Sequence, residues 1–196
     1  MRPNTLKLVK IGIFSAIATV ISMIIRIPVF FAPGFYRLDF SDTIVLISAF
    51  SLGPAAGVLT ESVKILLKVL IKGSPSLGIA ELAKFTTGLA LVLPAAIIYK
   101  KNRTLKSACI ALTIGVFCTL LVSAIMNFFV LLPVFGTLFN VSEQKIIAAA
   151  QAIIPFVTDK CTFVLFVVCP FNFIESTLVC VFALLLYKRL AEVFSR

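Results

Sequence analysis

Long apolar stretches interrupted by short polar ones dominate this chain, and they read as six segments at about 8–27, 41–53, 54–71, 77–99, 105–132 and 161–187. Runs of this length predict helices that cross a bilayer, because about 20 apolar residues span a hydrocarbon core ~30 Å thick. The second and third share one apolar run, and Gly53-Pro54 supplies the break as a tight turn. The first begins MRPNTLKLVK, but its apolar stretch outruns a signal peptide's, and no small-residue cleavage site follows it, so it is expected to stay as a helix. The stretch 133–160 is too polar to cross and predicts an excursion with one short surface helix. The expected fold is an all-α integral membrane protein: one domain over 1–196, a single bundle of six transmembrane helices.

Composition supports this and excludes much else. The chain is 61% hydrophobic and 13% charged, against about 45–50% and 25% in soluble domains. There is no His and no P-loop motif, so neither imidazole catalysis nor nucleotide hydrolysis by this chain is expected, and no metal site or catalytic residue is assigned. The five cysteines share no C-x-x-C spacing and read as apolar packing residues. The net charge of +10 is not spread evenly. Arg2, Lys7, Lys10, Lys100, Lys101, Arg103, Lys106, Lys188, Arg189 and Arg196 fall on one side of a six-span chain, with Glu192 alone against them. That is the positive-inside pattern; it places both termini in the cytoplasm and argues against nucleic acid as a partner.

Ionisable residues inside spans are costly and face a bundle interior, a partner or water. The third span carries Glu61, Lys64 and Lys68 on one helical face, with Glu61 and Lys64 close enough to pair. The fourth carries Glu81 and Lys84, the fifth ends near Asn127, and the sixth holds Pro170, Asn172 and Glu175. Two readings compete: ion pairs that hold helices in register, or a polar pocket for a small solute. Four spans contributing polar groups favour the pocket. The connection after the first span is rich in aromatics (Phe30, Phe31, Phe35, Tyr36 and Phe40), which fits membrane anchors or a lid over a flat ligand. Asp42, just before an apolar run, is expected to cap the second span.

These residues fall into motifs: RLDFSD (37–42), LGPAAGVLTESVK (52–64), AELAKFTTG (80–88), LPAAIIYKK (93–101), MNFFVLLPVF (126–135) and PFNFIES (170–176). In this order and spacing the chain, over about 8–190, resembles the substrate-binding S components of energy-coupling-factor (ECF) vitamin transporters, and is most similar to the riboflavin-specific type. The resemblance implies a bacterial plasma-membrane subunit that takes riboflavin from outside and needs no cofactor of its own. Its partners would be a membrane coupling subunit and two cytoplasmic ATPases. It places Leu38, Asp39 and Phe40 at the pocket mouth and Glu81, Asn127 and Asn172 against the ligand; Phe128, Phe171 and Phe173 are expected either as flat walls or, as is commoner for span residues, facing lipid and neighbouring helices. Glu61, Lys64, Lys84 and Glu175 complete the expected binding set. Helix-approach sites for the coupling subunit follow the family's small-residue spacing only as Gly12 and Ala16, which would equally serve packing within the chain.

Two positions depart from the family pattern. The sixth span usually reads Pro-Phe-Asn-x-x-Lys, and here the last position is Glu175; the fourth usually reads Glu-Leu-Ala-Asn, and here it ends in Lys84. Either the positive charge has moved between helices, with Glu175 as its new partner, or the pocket takes a modified flavin or another vitamin. An integral-membrane enzyme and a stand-alone ion-coupled carrier remain as contrasting readings.

Overall fold

Each apolar stretch winds into helix, and the breaks fall at glycine, proline and polar clusters. The structure is a computed structural model, and it describes residues 3–25, 27–29, 36–74, 76–138 and 142–194. Helix α1 (Pro3–Ile24) leads into a two-residue antiparallel ladder of β1 (Ile27–Pro28) and β2 (Arg37–Leu38), with Ile27 opposite Leu38. Then come α2 (Ser41–Leu52), α3 (Pro54–Lys72), α4 (Ile79–Lys101) and α5 (Leu105–Met126). A π-helical turn (Asn127–Leu131) joins α5 to α6 (Leu132–Leu138), and α7 (Glu143–Gln151) is the short helix expected in the polar excursion. Helix α8 (Lys160–Phe163) passes through a second π-helical turn (Val164–Val168) into α9 (Cys169–Phe194). The break between α2 and α3 sits where it is expected: Gly53 has φ +99°, a region open to glycine, and Pro54 starts α3 with a preset φ.

All six expected spans are helical, but they are not alike. Thr5–Ile24, Ile79–Lys101, Leu105–Phe135 and Lys160–Leu186 are long and apolar enough to cross a membrane unaided. Helix α2 has 12 residues, a rise of roughly 18 Å, and α3 carries Glu61, Lys64, Lys68 and Lys72.

The bundle is apolar outside and partly polar within. Val9, Ile13, Ile17 and Val20 form an exposed stripe on α1, and Ile110, Ile114, Phe117, Leu121 and Ile125 form another on α5. Inside, serine and threonine hydroxyls bond back to carbonyls one turn earlier (Ser15 to Ile11, Thr60 to Ala56, Thr119 to Gly115), so they satisfy themselves within their own helices. Small residues allow the helices to close up. A Cβ built on Gly57 would lie 2.6 Å from the Ala49 Cβ, and one on Gly115 would lie 2.6 Å from the Leu91 carbonyl oxygen. A core of Phe14, Val45, Leu46, Leu91, Val92, Ala111 and Val179 fills the middle, with Phe50 stacked on Tyr99 at 4.5 Å. A second apolar cluster (Leu132, Ala150, Val157, Phe163, Val164, Val167, Val168) binds the excursion onto the end of the bundle that carries residues 36–40.

The two π-helical turns have the same cause. Pro133 and Pro170 lack an N–H and crowd the carbonyl four residues earlier, at Phe129 and Phe166. Each of those residues is the centre of its π-helical turn, where the helix widens to absorb the clash.

Candidate functional site

Between the widened helices lies a cavity of ≈ 680 Å³, within the ~300–1,000 Å³ range of small-molecule sites. Two asparagines line it, Asn127 from the first π-helical turn and Asn172 from α9. The Asn127 Nδ2 donates to the Ser123 carbonyl at 2.8 Å and the Asn172 Nδ2 to the Val168 carbonyl at 2.9 Å. Each amide is thereby pinned through its Nδ2, which leaves its Oδ1 as the acceptor; Tyr36 already donates to that of Asn127, and a ligand's N–H or O–H would share it. Tyr36, immediately before β2, donates its hydroxyl to Asn127 Oδ1 at 2.8 Å and lays its ring on Phe171, centroids 4.9 Å apart. Burial holds the Tyr36 phenol well above its ordinary pKa, so it remains a donor at any physiological pH. Apolar lining comes from Met126, Leu131, Leu132, Phe135, Ile146 and Phe163.

The other wall is polar. Glu81 Oε2 accepts from Ser74 at 2.7 Å and Ser76 at 3.0 Å, which fixes the α3–α4 connection against the first turn of α4. Below it runs a chain of charges. Lys84 Nζ lies 3.1 Å from Glu175 Oε1 and 3.2 Å from Asp42 Oδ2; Asp42 Oδ1 is 2.6 Å from Lys64 Nζ; and Lys64 is 2.6 Å from Glu61 Oε2. Four helices, α2, α3, α4 and α9, thus meet through one ionic chain. Gly88 makes room for its inner end, since a Cβ there would sit 2.8 Å from Glu61 Oε1. At the cavity end, the Asp39 backbone N–H donates to the same Glu175 oxygen at 3.0 Å.

Comparison with known proteins decides what this frame is. The family model described as "ECF transporter, substrate-specific component" matches residues 6–187. This chain belongs to that family. The S component is 35% identical over 195 residues to the riboflavin transporter RibU of Staphylococcus aureus (strain TCH60), covering 97% of this chain and 93% of that protein. It is 31% identical over 130 residues to the riboflavin transporter FmnP of Bacillus subtilis (strain 168), covering 66% and 68%. Among solved structures it is similar to one described as the S component of a bacterial ECF transporter, with a TM-score of 0.76, 31% identity, and 98% and 99% of the two chains covered. The chain is therefore a multi-pass membrane protein of a transporter family, not of an enzyme family.

In this S component the expected binding residues divide into three groups. Asp39, Glu81, Lys84, Asn127, Asn172 and Glu175 all line the cavity. Glu61 and Lys64 do not: they pair as expected but lie fully buried beneath it, behind Asp42. Leu38 and Phe40 are also outside the lining, and the Phe40 ring packs edge-on against Phe182 at 5.4 Å; the mouth is built instead by Tyr36, Arg37 and Asp39. Of the expected aromatic walls, Phe171 lines the cavity, Phe173 is exposed, and Phe128 lies under Lys160, whose Nζ is 5.0 Å from the ring centroid. Phe30, Phe31 and Phe35 fall outside the described residues. Asp42 makes no capping bond to α2, because both its oxygens are taken by lysines from α3 and α4. Gly12 and Ala16 face outward on α1, and a Cβ on Gly12 would meet nothing within 4 Å, so they do not serve packing within the chain. Phe135, Ile146 and Phe163 are lining residues the sequence reading missed. The clue to Ile146 was its i, i+4 spacing with Ala150 on α7.

Proposed function

We propose that this S component captures riboflavin at its cavity from the extracellular side and delivers it to the cytoplasm with a membrane coupling subunit and two ATPases. The observation that carries the reading is a cavity lined by two pinned asparagines, aromatic rings and aliphatic side chains, in a chain 35% identical to a riboflavin transporter over nearly its whole length. A flavin has a flat ring for Tyr36, Phe163 and Phe171, an imide edge for asparagine, and a polyol chain suited to Glu81 and Ser76. Asp39 and Lys84 complete the proposed contacts, with Glu175 positioning both; Leu38 and Phe40 support the mouth, and Glu61 and Lys64 hold the floor rather than the ligand. The proposed topology keeps six crossings with both termini in the cytoplasm: α2 and α3, short or charged as they are, cross with their polar faces turned to the ionic chain. Purified protein titrated with riboflavin is expected to quench flavin fluorescence saturably at one site. Absence of any quenching would remove riboflavin as the ligand.

The exposed Gly12–Ala16 face is the proposed seat of the coupling subunit, where small residues let helix backbones approach in lipid. Gly12→Leu is expected to leave riboflavin affinity within about twofold, as for a surface change, and to abolish uptake by cells carrying the whole transporter. Lost binding with intact folding would assign that face to the ligand site instead.

A further inference from the structure

Segment 36–40 borders the cavity, and besides the pairing of Arg37 and Leu38 with Pro28 and Ile27 and the Tyr36 ring on Phe163 and Phe171 it has attachments to the bundle. Tyr36 bonds Asn127 on the α5 side, the Phe40 ring rests on Phe182 of α9, and Asp39 Oδ1 accepts the Ser41 N–H at 2.9 Å to turn the chain into α2. The Asp39 main-chain N–H donates across the mouth to Glu175 Oε1 at 3.0 Å. That bond is charge-assisted, and such bonds are roughly twice as strong as neutral ones. Because it comes from the main chain, it does not depend on which side chain stands at position 39. Lys84 Nζ, 3.1 Å from the same oxygen, balances the carboxylate and holds its orientation. A lysine at position 175, as in the pattern the chain otherwise resembles, carries donors and no acceptor and cannot receive this N–H.

We propose that Glu175 is the catch that holds segment 36–40 over the cavity, with Lys84 as its counter-ion. The charge exchange between α4 and α9 then sets how long a ligand stays, rather than which ligand enters. This rests on the transport reading above, and Glu175 acts here as a positioning residue. The test combines hydrogen exchange of a peptide covering 36–40 in ligand-free protein with stopped-flow riboflavin dissociation. Glu175→Leu removes the acceptor and is expected to speed exchange at 36–40 about tenfold or more, and riboflavin dissociation by a similar factor, with association within about twofold. Glu175→Gln keeps an acceptor oxygen and is expected to stay within about fivefold of the parent on both readouts. Should the leucine variant not fold, Glu175→Ala carries the same expectation.

Unchanged exchange at 36–40 in the leucine or alanine variant overturns the catch, even if riboflavin affinity falls, since Glu175 would then be a ligand contact alone. The exchange readout needs no ligand. It decides the catch even where the parent protein binds no riboflavin, a result that would overturn the transport reading by itself.

Discussion

Lys64→Met is expected to cost the protein most of its folding stability. Lys64 is 1% exposed, and its ammonium sits 2.6 Å from both Asp42 Oδ1 and Glu61 Oε2. Methionine fills a similar volume but leaves two carboxylates without their shared cation. Asp42 keeps Lys84 at 3.2 Å. Glu61, wholly buried and walled by Gly88, has no replacement on either oxygen. Removing one partner from a buried ion pair costs about 3–5 kcal/mol, against a net stability of only about 5–15 kcal/mol for a typical domain. The measurement is thermal unfolding of purified protein in detergent, with the folded yield beside it. Adding Glu61→Gln to Lys64→Met removes the stranded charge and is expected to recover part of the loss. A single variant that melts with the parent would mean that water or rearrangement reaches this chain of charges.

The sequence carried the helices more plainly than the site. The length of an apolar run is a local property of the chain, so all six helical segments were legible, and Gly53-Pro54 marked the one break inside an apolar run. Boundaries still moved: α1 starts at Pro3 rather than near residue 8, because a helix continues through polar residues once an apolar face has nucleated it. The contact between Lys84 and Glu175 was also legible, since one unusual charge on each of two helices suggested a partner. Asp42 was not. Local sequence presents it as a cap, and its lysines come from positions 64 and 84, on other helices. The mouth illustrates a second limit. Within RLDFSD the side chains alternate sides, and nothing local says that Arg37 and Asp39, rather than Leu38 and Phe40, turn to the cavity. The wall built by α6 to α8 was missed because it is assembled by tertiary packing of Leu132, Ile146 and Phe163, in a segment whose composition reads as surface.

Glu175→Lys is expected to lower riboflavin affinity on the order of a hundredfold, because like charges brought together in an interface cost several kcal/mol. The new ammonium would face Lys84, whose Nζ now lies 3.1 Å from the carboxylate, with Asp42 as the shared anion at 3.2 Å from Lys84. Lys84→Asn alone leaves Glu175 and Asp42 with one cation fewer and is expected to weaken binding less, since Asp42 retains Lys64. Combined, the two changes restore the charge order of the pattern the chain resembles, and affinity is expected to return to within about tenfold of the parent. Contacting residues in one ionic network show coupling energies of about 0.5–3 kcal/mol, and a double-mutant cycle by fluorescence titration measures this one. The recovery should be partial in a particular way. The double variant regains charge balance but has no acceptor for the Asp39 N–H, so its riboflavin is expected to dissociate faster than the parent's at comparable affinity. Additive single effects would show that Lys84 and Glu175 act on the ligand separately, and the contact between them would then be a matter of folding alone.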